Sequence, residues 1–344
     1  METWNSEAVR QYLTADATLE KELKIEFDKC MKEEQVREWE EQAAFWTAER
    51  KSEHMLFCVN KARDLIAVKR GDEEAAKAVA ALVAGLLPEA LKWQNGVIAQ
   101  NILIDSYKDY MRWVNDYQRS HHGKLGLERQ RWVLRTFSGD LVILGSLQFE
   151  KKKWDLPCVL FENKVTGVWE MLSNEGCGEE NDCFYGKRIM GQDGSVTKEM
   201  VSLRKCDWNI AAGEDTPVLG IHIPAGADLR IEAVKESIRF AKKYFGEEKY
   251  RFLVCESWLL DPHLKQMLSP KSRILEFASL FWRTPIAQKE RVPQILERVF
   301  GPEFRMEDLE KQECVTQLQK ALKNHLLSGG MVGSMGGYLS WNIV

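Results

Sequence analysis

The stretch Pro217–Pro262 reads PVLGIHIPAG (217–226), ADLRIEAVKESIRFAKKYFG (227–246) and EEKYRFLVCESWLLDP (247–262). The first piece is a short apolar run closed by a Pro/Gly turn, the pattern of a buried strand. In the second, Ile231, Val234, Ile238, Ala241 and Phe245 recur at three and four residues, which predicts an amphipathic helix with one apolar stripe. In the third, Tyr250–Cys255 is again a short buried strand. Strand, tight loop, helix and strand form a βαβ unit, which implies a parallel pair with the helix on one face. The loop Ile223-Pro224-Ala225-Gly226 then faces a helix N-terminus, where α/β proteins place the anionic groups of a ligand.

Outward from this unit, composition narrows the classes. The chain has 344 residues, enough for two domains or one large one, with 44% hydrophobic and 29% charged residues. A net charge of -4 and the absence of a basic stripe argue against a nucleic-acid partner. The opening METWNSEAVRQYL has no apolar signal region, and the longest apolar run, Val79–Leu87, is too short to span a bilayer. A cytoplasmic protein without membrane contact is expected. Eight dispersed cysteines read as reduced thiols; the closest pair, Cys177 and Cys183, lacks zinc spacing, so no metal is expected.

The two halves differ in pattern. Up to about Gly123 the chain shows only helical periodicity. Segments 20–50 and 53–69 are charged helices, and Asp72 is placed to cap a helix over Glu73–Leu87. In 97–118, Leu103, Tyr107, Tyr110, Val114 and Tyr117 form an aromatic packing stripe that ends at His121-His122-Gly123. After Leu127 the period changes. Arg131–Phe137 and Leu141–Glu150 around Ser138-Gly139-Asp140 read as a β-hairpin, and Cys158–Asn163 with Gly167–Leu172 as another strand pair. In Leu144–Glu150, alternation places Leu147 and Phe149 toward the core and Gln148 on the opposite side. Segment 173–200, rich in Gly, Asn, Asp and Glu, reads as a long loop. Helices near 262–268, 273–283, 291–300 and 307–327 and a final strand in GGYLSWNIV complete the chain. The expected architecture is α+β or α/β. A helical domain spans 1–125 (its end lying as late as 153), and 126–344 is a mixed-sheet domain with flanking helices.

Three signatures occur in order. The first runs from Ile102-Leu103-Ile104-Asp105 through Trp132 to Leu144-Gly145-Ser146-Leu147-Gln148-Phe149-Glu150. The second is His222-Ile223-Pro224 with Gly226 and Leu229. The third is Cys255-Glu256-Ser257-Trp258-Leu259-Leu260-Asp261-Pro262, followed by Pro270 and Ser272. Together they resemble a bacterial family of N-acyltransferases with a helical N-terminal domain and a GNAT-like C-terminal domain. The resemblance implies a GNAT-type fold and transfer of an acyl group from acyl-CoA, acetyl-CoA included, to a small-molecule or peptide amine. It names no acceptor and no oligomeric state. The alternative is a non-catalytic relative that binds a metabolite or a protein in the same place.

In the GNAT fold the strand before the loop pairs with the pantetheine arm, and loop N–H groups receive the pyrophosphate. That assigns Ile221, His222, Ile223, Ala225, Gly226, Ala227, Leu229 and Arg230 to acyl-CoA binding. The loop departs from the usual pattern of Gln or Arg followed by two glycines: it has Pro224, which lacks an N–H, and a single Gly226. Asp228, at the expected helix cap, would oppose the phosphates, and Arg230 would offset it. Amine attack on a thioester needs a base and a group that receives charge. The candidates are His222, Glu256 and Ser257, with His263 nearby. His222 is a base or a structural histidine, Glu256 a base or a helix-end carboxylate, and Ser257 a proton carrier or a cap. Cys255 reads as a buried apolar thiol. Between Cys255 and Tyr338 there is no tyrosine for the acid role that a tyrosine commonly fills in this fold.

Overall fold

A computed structural model describes residues 4–246, 248–285, 292–301 and 304–343. The chain forms two compact units, Met1–Ile143 and Leu144–Val344.

The first unit is helical: α1 (Ser6–Tyr12), α2 (Ala17–Cys30), α3 (Glu34–Ala48), α4 (Ser52–Arg70), α5 (Asp72–Gly85), α6 (Leu87–Gln94), α7 (Gln100–Ser120) and α8 (Gln130–Phe137). Helix α5 is its centre, because every residue from Ala78 to Gly85 is buried. Small side chains there let neighbours approach closely. A Cβ on Gly85 would lie 2.2 Å from the Phe27 ring and 3.1 Å from the Glu40 carboxylate. The Tyr110 hydroxyl donates to the Ala80 carbonyl at 2.8 Å, and the whole aromatic stripe of α7 is buried. Two expectations change here. Gly71, at φ +90°, occupies the cap before α5, and Asp72 lies in the acidic first turn. Arg131–Phe137 is helix rather than strand. Thr136 is buried, and so are Gln130, Val133, Leu134 and Phe137, whose spacing of three and four is helical.

The second unit is a pair of sheets with helices. The main sheet contains β1 (Leu141–Leu144, which runs across the boundary between the units), β2 (Leu147–Lys153), β9 (Pro217–His222), β10 (Phe252–Ser257), β11 (Trp282–Thr284) and β12 (Met335–Ser340) in the order β1-β2-β9-β10-β12-β11. Strands β9 and β10 are parallel and are joined through α9 (Ile231–Phe245), the expected βαβ unit. The other contacts of β9 and β10, with β2 and β12, are antiparallel. The expected single strand over 141–150 is two strands. Gly145 (φ +68°) and Ser146 turn the chain between β1 and β2, with glycine in the first turn position as a type II′ turn requires. This turn docks on α9, where the Ser146 amide donates to Ser237 Oγ at 2.9 Å.

The second sheet holds β3 (Cys158–Asn163), β4 (Trp169–Ser173), β5 (Gly178–Glu180), β6 (Cys183–Met190) and β8 (Trp208–Ala212) in the order β5-β6-β4-β3-β8. Strand β7 (Ser195–Arg204) pairs with β6. The long loop expected over 173–200 is thus mostly strand. Its turns are so tight that turn residues dominate the composition: Asn181 and Asp182, both at positive φ, make a two-residue type I′ turn between β5 and β6. Between the sheets, Trp154, Leu160, Met171 and Ile189 pack on Val218, Phe252, Val254 and Tyr338. The opposite face of the main sheet carries buried Leu147, Phe149, Leu219, Ile221 and Leu253, and α9 covers it with Val234, Ile238 and Ala241. C-terminal helices are α10 (Leu264–Met267), α11 (Arg273–Ala278), α12 (Val292–Phe300) and α13 (Gln317–Leu327). The helix expected over 307–327 starts ten residues later, where Thr316 and Gln319 form a capping box. The one expected over 273–283 stops at Ala278, before β11. Arg291, the expected start of the helix over 291–300, lies outside the described residues.

Two outcomes follow from this packing. Phe149→Ala leaves a cavity at a fully buried position and should cost about 3–5 kcal/mol in denaturant unfolding; a loss below about 1 kcal/mol would place the ring outside the core. The second concerns Glu40, whose buried Oε1 lacks a hydrogen-bond partner among the described residues, and whose carboxyl burial pushes well above the usual range. The folded protein therefore keeps a proton that the unfolded chain has already lost, so this group's contribution to stability is present at acid pH and is lost as pH rises above the ordinary carboxyl value of 4.5. Glu40→Gln should match the parent near pH 4 and gain on it with rising pH, by at most about 1.4 kcal/mol per pH unit. A difference that stays constant from pH 4 to 8 would show that Glu40 ionises normally.

Candidate active site

The antiparallel register of β2 on β9 sets Gln148 opposite His222, Glu150 opposite Gly220 and Lys152 opposite Val218. Side chains alternate along a strand, so Gln148, Glu150 and Lys152 share one face with Val218, Gly220 and His222. On β10 the same face carries Phe252, Val254 and Glu256. One end of this face is the dry core between the sheets. The other end is polar, and it lies where the parallel pairing stops: β9 and β10 pair from Leu219↔Leu253 to Ile221↔Cys255, whereas β10 continues through Glu256 and Ser257 paired to β12.

Within this polar end, His222 Nε2 lies 2.7 Å from Glu150 Oε2. The Glu150 side chain is 5% exposed and that of His222 30%, so a buried carboxylate holds an imidazole that solvent still reaches. The bond fixes which ring nitrogen faces the carboxylate, a device that orients a base. Lys152 crosses β9 over Gly220, where a Cβ would lie 2.9 Å from Lys152 Cδ and 3.5 Å from His222 Nε2. Glycine at 220 is therefore a packing requirement. Beyond it the Lys152 ammonium reaches Asp155 at 2.5 Å and Glu256 at 3.8 Å. Gln148 is 3% exposed, and its Nε2 lacks a hydrogen-bond partner among the described residues.

Of the residues named from sequence, His222 and Glu256 are thus on one face, His222 paired to Glu150 and Glu256 to Lys152. Ser257 is not with them. It points to the other side of β10, and its Oγ accepts the Leu259 amide at 3.1 Å, capping a 3-10 turn. His263 is anchored to buried Asp261 at 2.8 Å, and Asp261 also receives the amides of His263 and Gly333. Cys255 is buried and its thiol is pushed up to about 12 by that burial, which suits a packing residue. Tyr338 lies in the core against Trp154, Trp169 and Phe252, and burial raises its phenol. Glu150, which closes the first signature, and Lys152 were not among the candidate site residues. Their signal was the alternation Gln148-Phe149-Glu150-Lys151-Lys152, which places three polar side chains on one side of a buried strand.

The loop after β9 is a type II turn. The Ala227 amide donates to the Pro224 carbonyl at 3.0 Å, and Gly226 takes φ +79°. Ile221 is buried, Ile223, Ala227 and Leu229 are half-buried, and Ala225, Gly226 and Arg230 are exposed. The cap before α9 is Arg230, and Asp228 does not cap the helix: it accepts the Arg230 amide at 3.0 Å and forms a fork with the Arg230 guanidinium, with Nε at 2.7 Å. That guanidinium holds the Asp228 carboxyl down at about 2. No three His, Cys, Asp or Glu side chains converge as metal ligands among the described residues. No described helix is long and apolar enough to cross a membrane.

Comparison with known proteins places this geometry. Residues 141–339 match the model of the GNAT-like C-terminal domain, and residues 15–139 that of the N-acyltransferase N-terminal domain. No curated protein sequence matches the chain. Among solved structures, an acyltransferase in complex with decanoyl-CoA and teicoplanin has a TM-score of 0.56 at 18% identity, covering 98% of this chain and 99% of that one. An acyltransferase with decanoyl-CoA has a TM-score of 0.54 at 20% identity, over 83% of this chain and 78% of that one. An acyltransferase with CoA and 10C-teicoplanin has a TM-score of 0.55 at 18% identity, over 98% and 99%. At such identities the likeness speaks for the fold, and the domain models name the family: the chain belongs to the proteins with a GNAT-like C-terminal domain, here preceded by an N-acyltransferase N-terminal domain.

Proposed function

We propose that the protein transfers an acyl group from acyl-CoA to a primary amine, with His222 as the general base. The observation that carries this reading is the Glu150–His222 pair at 2.7 Å, on the strand whose parallel pairing ends beside it. An amine must lose a proton to attack a thioester, and a neutral imidazole beside a buried carboxylate is suited to take it. Glu150 is then a positioning residue that holds the ring and favours the imidazolium once formed. The thioester arm enters where β9 and β10 part, along Ile221, His222 and Ile223. The pyrophosphate lies over Ala225, Gly226, Ala227 and Leu229 at the start of α9, where backbone amides and the helix dipole favour an anion. Ser257, engaged as a cap on the other face, has no part in the chemistry, and Glu256 acts through Lys152. The acyl-CoA complexes of the structural neighbours support this donor class, and their acceptor makes a glycopeptide amine the first to try.

The test is transfer from acetyl-, octanoyl- and decanoyl-CoA to teicoplanin and to amino acid amides, read by mass. The parent should acylate at least one amine, and His222→Gln should lower kcat by about 10²–10⁴-fold. Glu150→Gln should lower it less and move the acid limb of the pH–rate profile to lower pH, because the ring loses the carboxylate that favours its charged form. Binding without transfer would point to a non-catalytic relative. Donor binding has its own check by calorimetry. Asp228→Asn removes an ionised group and releases Arg230, so it should tighten CoA binding, with the gain shrinking at high salt. Unchanged affinity would put the pyrophosphate elsewhere.

A further inference from the structure

We infer that Lys152 is the general acid of this transfer, giving its proton to the departing CoA thiolate; the inference rests on the acyl-transfer reading above. Lys152 is on the same face as His222, one strand away, and its chain lies across Gly220, the residue between Val218 and His222 on that face of β9. Its ammonium therefore lies beyond β9, toward Glu256 at the end of β10, which is where the two parallel strands part. Asp155 and Glu256 flank it, and its side chain is 19% exposed, so it is a proton carrier that a ligand can reach. The other carriers are otherwise engaged. Tyr338 lies in the core between the sheets, Cys255 is buried on the opposite face, and the Ser257 hydroxyl caps a turn.

The balance is simple. The amine nitrogen forms a bond to the thioester carbon as its proton passes to His222. The tetrahedral adduct then expels the thiolate, breaking the C–S bond, and the Lys152 ammonium supplies the proton that makes the free thiol. The imidazolium later returns its proton to neutral Lys152 through water, so no oxidant or further reactant is needed. Glu256 and Asp155 are positioning residues that hold the ammonium in place.

Lys152→Arg is the discriminating variant, because it keeps the charge and the ion pairs but replaces the ammonium with a group too weakly acidic to give up its proton. Lys152→Met, which removes both, is the second variant. Thiol release is followed with decanoyl-CoA and with the phenyl thioester of decanoic acid, whose leaving group needs no acid, using teicoplanin and glycinamide as acceptor probes. Both variants should keep the parent's melting temperature within a few degrees and its CoA affinity. They should lose about 10²-fold or more in kcat with decanoyl-CoA, and less than about threefold with the phenyl thioester. Activity of Lys152→Arg within about threefold of the parent, or equal losses with both donors, would each make Lys152 structural while leaving His222 as base. A parent that transfers nothing from either donor would overturn the acyl-transfer reading and this inference with it.

Discussion

Strand β9 carries two incompatible demands, and the rest of the second unit follows from how they are met. Its neighbour β10 is parallel, which forces the chain out of the sheet and back through α9. Its other neighbour, β2, is antiparallel and holds β9 along its full length, from Pro217 to His222. One edge of β9 is therefore paired to its end, and the other is released after Ile221. A central strand with a released edge cannot be left bare in a dry interior, because its backbone groups would lack partners. The surroundings of that end have to be polar or open, and the side chains around His222 are polar.

The register of β2 then decides which polar groups arrive. A shift by one residue would send Gln148, Glu150 and Lys152 into the α9 face and turn Phe149 outward. In the register adopted, a carboxylate whose side chain is 5% exposed sits two strand positions from a lysine on the same face. Such a group is costly to bury, and apolar replacements of similar size often stabilise a fold. Gly220 adds to this: an alanine would fill the groove through which Lys152 passes. A buried donor on Gln148 with no partner among the described residues is a further cost. Three departures from the most stable packing on one patch of sheet are more economically explained by chemistry than by folding.

Much of this was legible in the sequence where one period ran long enough. The βαβ unit and the aromatic stripe of α7 each span several turns or a complete strand–helix–strand, so apolar spacing alone identified them. Short elements were not legible. Arg131–Phe137 is eight residues of helix with Gln130, and an apolar run of that length fits either period. The hairpins of β5, β6 and β7 were hidden because their two- to four-residue turns carry the Gly, Asn and Asp that otherwise signal a loop. The site was half legible. His222 and Glu256 stand at strand ends, where sequence position suggests a site. Glu150 and Lys152 acquire their meaning only from a partner strand seventy residues away in sequence, whose register no local pattern announces.

The loop before α9 shows how far substitution can go without changing the fold. Pro224 and Gly226 still make the turn, and α9 still begins where an anion would be welcomed. What differs is the charge next to it. Asp228 is ionised at neutral pH and holds Arg230 in a fork, so the pair presents almost no net charge to an approaching diphosphate. The attraction left at this end is that of backbone amides and the helix dipole, which acts over about one turn and is screened by salt. A donor held as proposed would depend less on its phosphates and more on the arm between β9 and β10 and on the acyl chain beyond it. Selection among donors then falls to the apolar end of the ligand, where each buried methylene contributes about 0.8 kcal/mol.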